Sequence, residues 1–378
     1  MKITIIGAGI AGLTTAIALN KIGIETRIFE AAPHLKPVGA GLGLAPNAIK
    51  AFRKIGIADK IIPLGRQLPY FKILTPTGKI ISVNDSLAIS AKFGTDNFTI
   101  HRAQLHEALL NELDAASIFL NKRAVALESR KEKIKLTFAD NTTYETDFLI
   151  VADGINSALR NLVIPAAKVR YAGYTCWRAV IQAPDLPLVG ATETWGANGR
   201  FGLVPLTQNQ LYWFACINAT PGNQAFQKIS VPDLAHHFRH YHEPIPDIIS
   251  RTPPEGLIHN DIYDLAPLPH FAYQNILFIG DAAHATTPNL GQGACQAIED
   301  AVILTNELTQ NNKVEEAFVA FEKKRLSRTR YVTQQSRRIG EVAQWRNPVL
   351  VALRNTALRL VPTAVQQKQF NQLYNVQF

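Results

Sequence analysis

Three glycines near the start of the sequence have the spacing of a phosphate-binding turn. Gly7, Gly9 and Gly12 follow a short isoleucine-rich run and precede residues that favour a helix. In such a turn the first glycine permits the sharp change of direction, the second lets the backbone approach a pyrophosphate, and the third allows close packing of the helix. Ile10 and Ala11 would open that helix, whose free N–H groups and positive dipole end attract phosphate oxygens. The sequence therefore predicts a dinucleotide site at residues 7–12.

An acidic residue follows at the distance expected for ribose binding. The second predicted strand, residues 24–29, ends at Glu30, about 20 residues beyond the last glycine, and Ala31 comes next. Lys2 and the apolar stretch after it have the pattern of a secretory signal peptide as well. A signal peptide requires neither glycines at this spacing nor an acid after a second strand. We therefore favour a strand, phosphate loop and helix, both over the signal peptide and over an ordinary βαβ turn.

Two later hydrophobic runs end in acids. The run at residues 148–151 leads into Asp153 and Gly154, and the run at 276–279 leads through a glycine into Asp281. Open α/β sheets bind ligands at the carboxyl ends of their strands. Each acid alone is ordinary turn chemistry. In this order after a phosphate loop, however, both are expected beside the bound dinucleotide.

A polar turn and a helix follow the second acid. The turn contains Pro288 and then Gly291, Gln292 and Gly293, and the predicted helix begins at Ala294. A helix N-terminus carries about half a positive charge, which stabilises an anion placed there. Glycines allow such an anion to reach the backbone amides, because a Cβ atom would hold it away.

Together with residues 39–48 and 102–105, these motifs resemble the class A flavoprotein aromatic hydroxylases, whose fold is that of p-hydroxybenzoate hydroxylase. The resemblance runs through nearly the whole chain, and one departure is Val151, where relatives usually carry glycine. It implies an α/β chain with a Rossmann-like FAD-binding domain, an inserted antiparallel β-sheet substrate domain and C-terminal helices. It also places discontinuous domains at 1–70, 90–170 and 266–310 for FAD, 71–89 and 171–265 for substrate, and 311–378 for the helical segment.

The resemblance implies a role in FAD binding for a large set of residues. Arg102 resembles the family arginine that reaches FAD, Asp281 the residue near the ribityl and pyrophosphate groups, and Asp153 a residue associated with both FAD and the nicotinamide dinucleotide. The turn before Ala294 is expected at the N1 and C2-carbonyl edge of the flavin. The whole expected set is Gly7, Gly9, Ile10, Ala11, Gly12, Glu30, Ala31, Gly41, Arg102, Asp153, Gly154, Asp281, Pro288, Gly291, Gln292, Gly293 and Ala294.

The reaction that the resemblance implies is a monooxygenation. NADH or NADPH would reduce FAD, reduced FAD would capture O2 as a C4a-hydroperoxide, and one oxygen atom would hydroxylate or epoxidise a small aromatic or unsaturated substrate. The protein's part is to position the cofactor and keep water out. Two alternatives stay open from sequence: a flavin-dependent reductase of the same fold, and a flavoprotein that binds a partner without monooxygenase turnover.

The expected substrate domain contains strand-like segments at residues 171–180, 192–205 and 211–218, with a strand pair near 71–83. Period-two alternation predicts that Tyr212, Phe214 and Cys216 share one face, while Trp213 lies on the other. The sequence does not say which face forms the pocket wall. Residues 171–178 and 288–293 most resemble the branch of the family that holds urate hydroxylases, salicylate-type hydroxylases and zeaxanthin epoxidases. Arg200 and Tyr212 match urate-holding positions of that branch, whereas Asn289 replaces the aspartate of the urate enzymes.

The composition of the chain bears on its order, its partners and its compartment. The 378 residues are 47% hydrophobic and 18% charged, which excludes a largely disordered chain. The net charge of +9 favours anionic partners. Three scattered cysteines fit a reducing compartment, so we predict a cytoplasmic protein. We expect a monomer or homodimer that binds no nucleic acid.

A histidine cluster, a basic segment and an amphipathic segment in the second half of the chain are expected to have structural roles. His236 and His240 are expected on one face of a solvated helix, without a metal. The basic residues from Lys323 to Arg338 are expected on a solvated helix that covers the FAD domain. The amphipathic segment 348–361 is expected to pack on the body of the protein rather than contact a membrane.

Overall fold

The computed structural model describes residues 1–35, 40–95, 97–130 and 133–378. Its strands are β1 Lys2–Ile6, β2 Glu25–Phe29, β3 Gly41–Leu44, β4 Arg66–Gln67, β5 Tyr70–Leu74, β6 Ile80–Asp85, β7 Phe98–His101, β8 Ile118–Phe119, β9 Ala124–Arg130, β10 Lys133–Phe138, β11 Thr143–Thr146, β12 Leu149–Val151, β13 Val169–Gln182, β14 Ala191–Gly196, β15 Gly199–Pro205, β16 Gln210–Asn218, β17 Ile258–Leu265, β18 Ala272–Tyr273 and β19 Ile276–Phe278.

The helices alternate with these strands and then dominate the last third of the chain. They are α1 Ile10–Lys21, α2 Pro46–Lys54, α3 Ala58–Ile61, α4 Ser86–Phe93, α5 Arg102–Leu110, α6 Ala158–Val163, α7 Gln224–Gln227, α8 Val231–His237, α9 Ile245–Ser250, α10 Asp281–His284, α11 Gly293–Gln310, α12 Val314–Ala343, α13 Pro348–Arg359 and α14 Thr363–Tyr374. No helix in the described ranges is both long enough and apolar enough to cross a membrane.

A six-stranded sheet carries the phosphate loop. Its order is β18-β19-β12-β1-β2-β8, and all its pairs are parallel except β18 with β19. The central strands are almost fully apolar and buried because helices cover them, as in other parallel sheets. Strands β1, β12 and β19 lie side by side and point the same way. The three turns that follow them therefore meet at one edge of the sheet.

A second sheet of seven strands has the order β17-β13-β16-β15-β14-β5-β6. The sequence predicts it well in outline, but with two differences. The segment 192–205 is a hairpin of β14 and β15, because Gly199 takes a positive φ of 140° at the turn. The sheet is also mixed, since β5 runs parallel to β14. The domain boundaries expected from the sequence stay a prediction.

One prediction about helices is wrong. Helix α8 ends at His237, so His240 lies beyond it and the two histidines do not share a helix face. Helix α13 packs against β6, but Leu353 and the following Leu360 are exposed, while Arg354 is buried. The guanidinium of Arg354 donates to the carbonyl of Ala343 at 2.9 Å and lies 5.2 Å from the ring centre of Trp195, which explains why the charged residue faces inward.

Candidate active site

An elongated cavity of about 1160 Å³ runs from the phosphate loop to the seven-stranded sheet. It brings together most of the residues that the sequence singles out. Those that line it are Gly9, Ile10, Ala11, Gly41, Arg102, Gly154, Arg200, Tyr212, Asp281, Pro288, Gly291, Gly293 and Ala294. Gly7, Gly12, Glu30, Ala31, Asp153 and Gln292 belong to the surrounding structure instead. Gly39 lies outside the described residues.

The three glycines of the phosphate loop have different surroundings. Gly7 has a φ of +104°, and a Cβ there would lie 2.4 Å from the carbonyl oxygen of Ala152. A Cβ on Gly12 would lie 2.0 Å from the carbonyl oxygen of Gly7. Around Gly9, by contrast, no described atom lies within 4 Å of such a Cβ. Gly7 and Gly12 are therefore required for folding, whereas Gly9 leaves open the space into which a pyrophosphate would fit.

Glu30 closes the phosphate loop from the neighbouring strand. Its carboxylate accepts hydrogen bonds from the N–H of Ala8 at 2.7 Å and of Ala32 at 2.8 Å. Two bonds leave further acceptor positions of the carboxylate for the hydroxyls of a ribose. Ala31 follows directly and is half-buried. The acid thus holds the shape of the loop in addition to the ribose contact expected of it.

Arg102 and Asp281 place opposite charges on the cavity wall. Arg102 opens α5, and burial lowers its pKa, as does nearby Arg178, while Asp281 raises it. Burial raises the pKa of Asp281, against the opposing effect of His284 and Arg102. Asp281 is exposed to the cavity itself, so that its carboxylate is accessible to a ligand although protein surrounds it. These residues can hold the polar middle of a long cofactor.

The Asp153-Gly154 turn supplies a buried oxygen without a protein partner. Asp153 Oδ1 has no hydrogen-bond partner among the described residues, and burial raises the pKa of this acid. Gly154 has a φ of +83° and lines the cavity. Arg160 ties the turn to the neighbouring one, since it donates to the carbonyls of Ile155 at 2.6 Å and Ala282 at 3.3 Å. Asp153 does not line the cavity, so this oxygen lies behind the wall that Gly154 forms.

The N-terminus of α11 points at the cavity. Gly291 takes a φ of +61°, and Pro288, Gly293 and Ala294 line the cavity beside it. The side chain of Gln292 instead turns into the protein. Its Oε1 accepts from Asn47 at 3.0 Å and from Gln296 at 3.1 Å. Only the backbone of Gln292 is therefore available to a cofactor, and the helix dipole favours negative charge in front of it.

The alternation in the seven-stranded sheet settles which face forms the pocket. Tyr212, Phe214 and Cys216 line the cavity, whereas Trp213 is buried on the other face against α8 and α9. The register aligns Cys176 with Cys216 and Arg178 with Phe214, so β13 contributes to the same wall. A Cβ on Gly202 would lie 2.1 Å from the Phe214 ring, and this glycine thus makes room for the aromatic wall. The result is a largely apolar chamber.

Arg200 is buried in this wall with its charge already compensated. Its Nη1 donates to Glu193 Oε1 at 3.0 Å and its Nε donates to Gln344 Oε1 at 3.2 Å. Burial alone would lower its pKa, but Cys216, Glu193 and Tyr174 raise the pKa above the ordinary value. The side chain therefore offers a polar edge of a neutral pair rather than a free cation.

Tyr212 lies against the Gly41 backbone, and burial raises the pKa of its hydroxyl.

Arg178 is a candidate that the sequence reasoning missed. It lines the cavity, donates from Nη2 to Asn260 Oδ1 at 2.6 Å, and has a buried Nε without a partner among the described residues. The sequence contains the signal for it, because period-two alternation places Arg178 on the same strand face as Tyr174 and Cys176. Its cationic end faces the same space as Arg102.

Asn289 has contacts that only an amide can make. Its Nδ2 donates to the carbonyl of Ser336 at 2.9 Å and to Thr287 Oγ1 at 2.9 Å, and its Oδ1 accepts from the hydroxyl of Tyr174 at 3.2 Å. An aspartate could not donate to a carbonyl. The asparagine that replaces the aspartate of the urate enzymes therefore forms part of the contact between this turn and α12.

A buried charge network supports the site from behind. Arg325 is fully buried and donates to Asp300 at 2.7 Å and to Glu299 at 2.5 Å, so the expectation that it lies on a solvated face is wrong. Asp300 also accepts from the backbone N–H of Gly280 at 2.8 Å and contacts His284 at 2.7 Å. The network connects α11 and α12 to the turn that carries Asp281. His284 is therefore a supporting residue.

The whole chain can be compared with known proteins on this basis. Residues 1–336 match the protein family described as FAD binding domain. The chain belongs to this family. The fold expected from the motifs is confirmed by the Klebsiella pneumoniae protein HpxO complexed with FAD and uric acid, whose structure has a TM-score of 0.90 at 26% identity and covers 99% of this chain and 96% of its own. The open space at Gly9 and the N-terminus of α11, both at the cavity, fit the FAD of this family.

Two relatives are similar over almost their full length. Aurachin C monooxygenase/isomerase of Stigmatella aurantiaca is 34% identical over 366 residues, 96% of this chain and 94% of the relative. The 2-heptyl-3-hydroxy-4(1H)-quinolone synthase of Pseudomonas aeruginosa is 33% identical over 381 residues, 99% of this chain and 98% of the relative. The protein described by the present sequence, as a member of the FAD-binding family, is an FAD-dependent monooxygenase.

Proposed function

We propose that this monooxygenase uses NADH or NADPH and O2 to hydroxylate the ring of a bicyclic aromatic compound that carries a hydrocarbon chain, with a 4-quinolone as the best candidate. The observation that carries the proposal is the shape and lining of the cavity. Beyond the flavin region its lining includes the aromatic chamber and residues of β5, β6 and α4 as well as of α13 and α14.

The aromatic chamber suits a neutral ring system. Tyr212 and Phe214 have ring centres 5.9 Å apart and form one wall. The polar groups of the lining include the Arg200–Glu193 pair and the Arg178 side chain. A carbonyl oxygen of a heterocycle would accept from a guanidinium, and its ring would stack on the aromatic wall. Glu193 already compensates the charge of Arg200, so this pair would not favour a substrate carboxylate.

The continuation of the cavity suits a hydrocarbon chain. Phe71, Ile73 and Ile89 line one side, and Leu358 and Phe370 line the other. Each buried methylene group contributes about 0.8 kcal/mol to binding. The relatives support this assignment, since the name of one includes a heptyl chain on a quinolone ring. Epoxidation of an unsaturated chain is the second outcome that the same lining allows.

The residues around FAD have separate tasks in the reaction. When bound, FAD takes up electrons from the nicotinamide and activates O2 for transfer of one oxygen atom. The Gly9 region and the N-terminus of α1 would hold the pyrophosphate, and Glu30 the ribose. The N-terminus of α11 would stabilise negative charge that develops on the ring. Arg102 and Arg178 are the candidate cations for the passing nicotinamide dinucleotide, and the apolar lining excludes water.

Turnover of 2-heptyl-4-quinolone in the presence of each dinucleotide tests the proposal. We expect a product heavier by one oxygen atom, labelled when ¹⁸O2 is supplied, with less peroxide released than in the absence of substrate. Urate and salicylate serve as comparison substrates and are expected to react poorly. Consumption of dinucleotide with a reduced, unoxygenated product would instead assign the protein to the reductases of this fold.

A further inference from the structure

Helix α13 has apolar side chains on its outer side. Val349, Leu353 and Leu360 are 66%, 61% and 73% exposed and lie within about 40° of one another around the helix, given 100° per residue. The inward face holds Arg354, whose guanidinium is fixed by carbonyls at the end of α12, together with half-buried Val351 and Leu358. Apolar side chains therefore lie on both sides of the helix, and the outer set is not covered by the rest of the described chain.

The neighbouring elements extend the same surface. Strand β6 contacts α13, and its Ile80 and Val83 are exposed, as is Leu87 at the start of α4. The carbonyl of Ile80 accepts from Arg359 Nε at 3.4 Å. We call this surface, made by Ile80, Val83, Leu87, Val349, Leu353 and Leu360, the apolar face. Exposed apolar side chains gathered on contacting elements are typical of an interaction site.

The C-terminal segment that forms part of the apolar face carries basic charge only, and one acid lies on the contacting strand β6. Residues 342–378 contain no Asp or Glu, and their basic residues Arg346, Arg359 and Lys368 are exposed. The acid on the contacting strand, Asp85, caps α4 by accepting from the N–H of Ala88 at 2.8 Å. A two-fold pairing of this surface with itself would place like charges opposite one another. The charge therefore favours an anionic partner over a second copy.

The apolar face also adjoins the cavity. Leu358 and Val361 lie on either side of Leu360 in sequence and line the cavity, and Val365 both lines it and is exposed. We propose that the apolar face docks on the surface of an anionic lipid bilayer, so that a lipophilic substrate passes between bilayer and cavity. Leucines would enter the interfacial region while the arginines and Lys368 contact lipid phosphates.

Flotation of the FAD-loaded protein with lipid vesicles tests this proposal without any turnover. We expect the protein to float with vesicles of phosphatidylcholine and phosphatidylglycerol mixed in about a three-to-one ratio, less with phosphatidylcholine alone, and less as salt increases. The double variant Leu353→Glu/Leu360→Glu is expected to bind at least tenfold more weakly. Arg359→Gln is expected to lose about fivefold on anionic vesicles.

Leu162→Glu is the matched control, because Leu162 is exposed on α6, away from the apolar face. It is expected to float like the unaltered protein, and unchanged circular dichroism and flavin absorbance confirm the fold of each variant. Failure of the unaltered protein to float with anionic vesicles would overturn the proposal. So would a dimer that Leu353→Glu/Leu360→Glu dissociates in the absence of vesicle binding, which would assign the face to a second copy. A catalytically inactive protein that floats would contradict only the proposed function.

Discussion

Gly9 and Gly12 belong to one sequence motif, yet the structure gives them opposite sensitivities. A Cβ on Gly9 meets no described atom, whereas a Cβ on Gly12 would lie 2.0 Å from a backbone oxygen. We expect Gly9→Ala to fold normally and to raise the Kd for FAD about tenfold or more, which is about 1.4 kcal/mol. Gly12→Ala is expected to lower the melting temperature even without FAD.

Titration of the apoprotein with FAD and thermal unfolding separate these two effects. Gly256→Ala is the control, because its Cβ would have only an ordinary contact, 3.6 Å from Pro253. A Gly9→Ala protein that binds FAD as tightly as the unaltered protein would contradict the placement of the pyrophosphate. The motif alone predicts that all three glycines matter but cannot separate their reasons, which depend on atoms far away in sequence.

The buried ion pair of Arg200 gives a second prediction for single residues, which concerns the free energy of unfolding. Its pairing with Glu193 is buried, so Glu193→Gln leaves a buried cation without a counter-ion and is expected to cost about 3–5 kcal/mol in the free energy of unfolding. The double variant Glu193→Gln/Arg200→Met is expected to recover most of that loss. Urea denaturation of both proteins measures the difference.

Equal stability of Glu193→Gln and the unaltered protein would show that the pair is not closed in solution. The sequence indicated Arg200 as a candidate substrate-positioning residue, and the structure has it in the cavity wall. It could not show the compensating acid, because Glu193 lies on the adjacent strand and its alignment with Arg200 depends on the register of a hairpin.

At the scale of elements, the contact of α11 with α12 depends on buried charges. Burial alone would raise the pKa values of Glu299 and Asp300, but Arg325 and Arg328 hold the pKa of Glu299 below its ordinary 4.5, and His284 and Arg325 hold the pKa of Asp300 below its ordinary 3.8. Carboxyls with lowered pKa values stabilise the folded state above the ordinary pKa, and this stability is lost as the pH falls from the ordinary pKa through the lowered pKa of the folded state.

We therefore expect the free energy of unfolding to fall as the pH drops below about 4.5. Asp300→Asn should be about 3–5 kcal/mol less stable at pH 7 and should show a shallower loss on acidification. Urea denaturation over a pH series measures both quantities. Parallel curves for the two proteins would show that Asp300 does not contribute to the acid sensitivity.

The elements also show where prediction from the sequence ends. The β1–α1–β2 unit, the strands before Asp153 and Asp281, and α11 are close to their predicted positions, since glycine spacing and apolar runs determine them locally. The face presented by a C-terminal helix is not determined locally. Arg325 faces inward because two acids on α11 meet it, and Leu353 faces outward because Arg354 takes the inner side.

For the whole molecule, the continuity of the cavity from flavin region to C-terminal helices predicts a dependence on chain length. With 2-alkyl-4-quinolones, kcat/KM is expected to rise about fourfold per methylene group until the chain leaves the protein, because each group buries further apolar surface. Steady-state kinetics of methyl to nonyl homologues measures the trend. Equal values for methyl and heptyl compounds would place the chain outside the cavity between α4 and α14.

The central claim is that one cavity holds both FAD and the aromatic substrate. The most direct measurement is anaerobic bleaching of the bound flavin's visible absorbance by NADH and by NADPH, followed by stopped flow with and without 2-heptyl-4-quinolone. We expect one dinucleotide to reduce the flavin and the quinolone to accelerate the reduction. A flavin that neither dinucleotide reduces under any of these conditions, or a purified protein that binds no flavin, would contradict it.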